Sequence, residues 1–183
     1  MPRTSDGFLP TAPDERVPRD IPDFLDSHRA LAVCAKEFDQ LVDEIARLAA
    51  EVDTGAPEIQ TEVRKSPNRC IVQLGPVALT LSWLRSSADT VSDGRLLVIE
   101  WVGTVGRSTN RPPERGLDRR ATAPAHAPAT IAREVVLLAD ATSAEDWRWR
   151  REDGTRGSYS SGELATRCVD SLLKGLRAHA TAS

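Results

Sequence analysis

Arginine and serine come together once in this chain in a pattern that could do chemistry. Arg148, Arg150 and Arg151 stand shortly before Ser158-Tyr159-Ser160-Ser161-Gly162, where an amphipathic stretch begins. Guanidinium forks close to the N–H groups of a helix start make an anion-binding arrangement. Arg148, Arg150, Arg151, Ser160 and Ser161 are therefore the candidate anion ligands. The serines lack the GxSxG spacing of a nucleophile elbow, so the cluster does not point to covalent catalysis. Capping and turn formation explain the same residues with no ligand at all.

Trp147 and Trp149 alternate with Arg148 and Arg150, a pattern that could stack single-stranded nucleic acid. Glu145, Asp146, Glu152 and Asp153 neutralise it. The alternation reads better as buried tryptophans with a solvated arginine face. A second basic group, Arg107, Arg111, Arg115, Arg119 and Arg120, lies in an Arg/Pro/Ala-rich stretch spanning 106–130, with a local charge of +3. These five are the candidate partner-binding residues. The stretch has no aromatic residue, and Glu114 and Asp118 interrupt it. The whole chain carries a net charge of -3 with a pI near 5.7. Nucleic acid is accordingly a disfavoured partner.

Other chemistries find less support. Gly103-Thr104-Val105-Gly106-Arg107-Ser108 has the ending of a phosphate loop, but Trp101 and Arg107 stand where that motif needs Gly and Lys. His28, His126 and His179 are far apart, and no spacing suits zinc or calcium. No metal and no cofactor is expected. Cys34, Cys70 and Cys168 are odd in number and widely spaced, which points to free thiols and a reducing, cytoplasmic compartment. Residues 1–22 lack the apolar core of a secretory signal, and no apolar run approaches a membrane span.

The elements that must position these residues follow from periodicity. Residues 1–25 are rich in Pro and acid and read as a disordered or loosely docked arm. From His28 to Asp53, Leu31, Cys34, Phe38, Leu41, Ile45, Leu48 and Val52 recur in steps of three and four, a helical stripe. Asp26 or Ser27 offers its N-cap. Strand patterns follow at 59–64, 70–84, 96–102 and 133–139, and a short one carries Trp147 and Trp149. The second of these is one long strand or two joined at Gly75-Pro76, where a bulge or bend is expected. Ser160 with Glu163 forms a capping box, and Leu164, Cys168, Leu172 and Leu176 continue as a helix.

The expected fold is therefore α+β: a two-layer sandwich with a mostly antiparallel sheet of 4–6 strands and the N- and C-terminal helices packed on one face. Residues 26–183 form a single domain broken by the long loop. The helices should cover the face carrying Trp83 and Trp101. With 183 residues, 40% hydrophobic and 28% charged, the chain is neither wholly disordered nor in need of metal or disulfide staples. The strands at 95–102 and 133–139 are apolar on both faces, yet only two helices are on hand as cover. A non-catalytic protein-interaction or adaptor domain is thus the leading expectation. It would self-associate or bind a partner through a sheet face or the first helix. The alternative is a small-molecule binder or enzyme with a pocket between sheet and helices, drawing on Glu100, Arg85 and Tyr159.

Overall fold

Ser27 starts the first helix. Its Oγ accepts the N–H of Ala30 at 3.2 Å, and its extended backbone sets off α1, His28–Ala50. The stripe spaced in threes and fours is the buried side: Cys34, Phe38, Leu41 and Ile45 are all in the core. The computed structural model describes residues 24–52, 60–85, 90–105 and 129–182. The basic stretch around Arg107, Arg111, Arg115, Arg119 and Arg120 lies outside the described residues, as does the N-terminal arm up to residue 23. The last two residues of that arm are described. Phe24 and Leu25 pack on the core, and the Leu25 carbonyl accepts the N–H of Val91 at 3.1 Å.

Seven strands follow α1: β1 (Thr61–Ser66), β2 (Arg69–Leu74), β3 (Val77–Leu84), β4 (Arg95–Val102), β5 (Thr130–Asp140), β6 (Arg148–Arg151) and β7 (Ser158–Tyr159). They form one antiparallel sheet in sequence order. The count exceeds the expected 4–6. Gly75-Pro76 is no bulge; it is a two-residue hairpin loop between Leu74 and Val77. Gly75 takes φ 55°, which only glycine adopts freely, and Pro76 lies where no ladder donor is needed. Of the two readings of 70–84, one long strand or two joined at Gly75-Pro76, the structure has the second. The two-residue β7 adds another, too short to show a period in sequence. The helix α2, Ser161–Ala182, closes the described fold.

The register fixes the two faces. Trp83 pairs with Leu96 and Leu81 with Val98, so Leu96, Val98, Glu100 and Val102 share the helix-covered face. Trp101 pairs with Ala78 and lies on the opposite face, where its indole N–H donates to Thr80 Oγ1 at 3.0 Å. The expectation that Trp83 and Trp101 share one face is therefore corrected. Both alternating sets of β4 are apolar, so the alternation alone does not select the covered one. A carboxylate among core positions looks wrong until its neighbours on α2 and β5 are known.

Trp83, Trp147 and Trp149 form an edge-to-face chain with ring centroids 5.8 and 5.6 Å apart. Trp149 is wholly buried, and its indole N–H donates to Ser161 Oγ at 3.0 Å. Ser161 in turn donates to Glu37 Oε2 at 2.6 Å. This relay ties β6 and the start of α2 to the middle of α1. Further along, Gly175 brings α2 against β3, where an added Cβ would lie 3.7 Å from Val77. Among the sheet strands, α2 makes its main contacts with β3, β6 and β7.

Replacing Ser161 by Ala removes the acceptor of a buried indole N–H and the donor to Glu37 at once. We expect the S161A variant to lose about 1–3 kcal/mol in urea denaturation, the usual penalty for an orphaned buried donor. An unchanged midpoint would show that the relay contributes nothing to stability.

Candidate functional site

The helix α2 lies across the sheet like a chord. It is anchored over β3 at one end and over β6 and β7 at the other, and a cavity of about 240 Å³ remains over β4 and β5. The floor is apolar. Val98 of β4, Val135 and Leu137 of β5, and Leu164 and Cys168 of α2 line it. These residues come from the alternation of the strands and from one flank of the helix, so their burial is part of the core's own pattern.

The mouth is charged. Four bases surround it (Arg133, Arg151, Arg167 and Lys174) against two acids, Glu100 and Asp170. Glu100 lies 3.6 Å from Arg133, its cross-strand partner, and this pairing explains how a carboxylate can occupy a row of core positions. Arg167 stacks over the Tyr159 ring with its guanidinium carbon 4.6 Å from the centroid. Arg151 pairs with Asp153 through Nη2, but its Nε is buried and has no hydrogen-bond partner among the described residues. Ser171 adds a hydroxyl to the wall.

The anion ligands expected from sequence are mostly engaged elsewhere. Arg148 pairs with Glu163 at 3.2 Å, and Arg150 with Asp140 at 3.4 Å. Ser160 is the cap: its Oγ accepts the Glu163 N–H at 3.2 Å while its own N–H donates to the Glu163 carboxylate at 2.8 Å. Those bonds from Ser160 hold the Glu163 carboxyl below its ordinary pKa. The helix start thus carries its own anion. Ser161 is taken up by the core relay. Only Arg151 of the five reaches the cavity. Of the three polar groups named for a pocket, Glu100 and Tyr159 line it. Arg85 lies instead close enough to Cys34 to act on its thiol.

Sequence reasoning missed Arg133, Arg167, Asp170, Ser171 and Lys174. A signal for part of this set was present. Leu164, Arg167, Cys168, Ser171 and Lys174 recur at helical spacing beside the apolar stripe, so a mixed polar flank adjoins the core face. No family model, curated protein or solved structure matches this chain.

The arrangement can hold an anion. Among the described residues no group of histidine, cysteine and acid is placed to bind a metal, and no helix is long and apolar enough to cross a membrane. Cys168, the one sulfur in the cavity wall, is buried, and burial together with the charge of Glu100 pushes its thiol up to about 12. A thiol held so high is no nucleophile near neutral pH. Burial likewise pushes Cys34 up to about 12 and Cys70 up to about 11.

These thiols give a signed pH dependence. An unfolded thiol releases its proton near pH 8.5, and the folded chain keeps it. The folded state therefore binds more protons across that window. Stability is whole below about pH 8.5 and falls as the pH rises toward about 11, where Cys70 begins to ionise in the folded chain. Chemical denaturation at pH 8, 9.5 and 10.5 should show a falling midpoint. Replacing all three cysteines by Ala should flatten the trend, and an equally steep trend in that variant would assign it to other groups.

Proposed function

We propose that this chain is a non-catalytic binding domain that takes an anionic group in the pocket beneath α2. The observation that carries this reading is the partnerless Nε of Arg151, buried beside a mouth where bases outnumber acids four to two. A buried guanidinium N–H without an acceptor is costly unless a ligand supplies one. The apolar floor supports a ligand with a short hydrocarbon stem behind its charge.

Size narrows the occupant. A cavity of about 240 Å³ holds the volume of roughly eight waters and falls below the usual range for drug-sized molecules. It suits a carboxylate or phosphate head on a small stem and not a whole nucleotide. The three free buried thiols agree with a reducing compartment such as the cytoplasm.

A second reading, an adaptor that binds protein through the sheet, has its own support. Ile131 and Leu84 lie on the face away from the helices and are 54% and 49% exposed. The narrow seam of α1, in contrast, is buried in this chain's own core.

Isothermal titration with pyrophosphate and with hexanoate tests the pocket reading. Wild-type protein should bind at least one of them, and Arg151→Ala should weaken that binding about tenfold, the loss of one charge-assisted contact. Arg150→Ala, on the solvated face, should leave it unchanged. No binding by the wild type, or equal loss in both variants, would overturn the proposal.

A further inference from the structure

One strand edge in the interior of the sheet is open. β6 pairs only with Leu137–Asp140 of β5, and the Glu152 N–H adds a last rung to the Val136 carbonyl at 3.0 Å. Beyond it, among the described residues, Thr130–Val135 has β4 on one side and no strand on the other. Thr130 through Glu134 are all exposed. Six residues of extended chain span about 20 Å, enough for a full strand pairing.

The outer edges of the sheet are guarded differently. β1 carries Glu62, Arg64 and Lys65, and Lys65 is tied to Asp43 of α1. β7 is two residues long. Charge and shortness are the ordinary protections against strand addition. The free part of β5 has the length those edges lack, and Ile131 stands exposed on it.

This edge also borders the pocket. Arg133 and Val135 belong to it and line the cavity, and Arg151 closes the cavity where β6 ends. A residue paired beside Arg133 or Val135 on the helix-covered face would have its Cβ about 5 Å from theirs. A Glu there would lie within reach of the ring of bases, where its carboxylate would offer Arg151 Nε an acceptor. Flanking residues on the other face cover Ile131.

We infer that the pocket's ligand is the acidic side chain of an extended peptide from a partner protein, which adds to β5 as a strand antiparallel to it, in line with β6. The inference rests on the pocket reading and names its ligand. Backbone pairing supplies the affinity and the buried carboxylate the selectivity.

Fluorescence anisotropy on the full chain tests it with three labelled peptides: Val-Thr-Val-Glu-Val-Thr-Val, the same peptide with Gln for Glu, and the Glu peptide N-methylated at alternate residues. The Glu peptide should bind and be displaced by pyrophosphate. Gln should weaken binding about tenfold, and N-methylation should abolish it. Equal binding of the N-methylated peptide would overturn the strand pairing, and equal binding of the Gln peptide would overturn the carboxylate anchor. If pyrophosphate binds and no peptide does, the pocket stands and this inference fails; if neither binds, both fail. Light scattering covers the remaining occupant. A dimer that the Glu peptide leaves intact would assign the edge to a second copy of the chain and overturn the inference.

Discussion

Much of this structure follows from where the buried indole N–H of Trp149 finds its acceptor. Its acceptor is Ser161, the first residue of α2, and Ser161 passes the bond on to Glu37 in α1. Three elements, two of them close in sequence and the third 124 residues away, are fixed at one point. Because that point is the very start of α2, the helix has its direction across the sheet set there, and its close approach to β3 at Gly175 sets the far end. The cavity over β4 and β5 lies between those two anchor points.

Most of the fold was legible because it follows local rules. The stripe of α1, the capping box at Ser160, the turn at Pro67-Asn68 and the inward tryptophans at 147 and 149 all rest on residues close in sequence. What escaped depends on partners far away. β7 is too short to show a period. Gly75-Pro76 could bend a strand or end it, and only the pairing of Leu74 with Val77 decides.

The site was less legible, and Glu100 shows why. Glu100 interrupts one of the two apolar sets of β4, and nothing close in sequence shows which set the helices cover. The true reason for Glu100 is Arg133, thirty-three positions on in sequence and directly across the ladder in space. The residue that broke the hydrophobic pattern was the trace of the pocket. Arginines that looked conspicuous, Arg148 and Arg150, are matched by acids on the surface. Of the four bases around the cavity, Arg167 and Lys174 stand on α2 among core residues while Arg133 and Arg151 come from β5 and β6, so the set draws no attention as a motif.

The sheet order also has a consequence for how the chain folds. Every strand pairs with its neighbour in sequence, so the sheet can zip hairpin by hairpin from contacts that need little loop closure, apart from the longer connection between β4 and β5. The bond from Ser161 to Glu37 is the opposite case, closing a span of 124 residues. On loop-closure grounds, docking of the two helices on each other is expected after the meander has formed. A chain whose meander is complete but whose helices are undocked would expose the tryptophan cluster and lack the cavity altogether, so the cavity comes into being only with that docking.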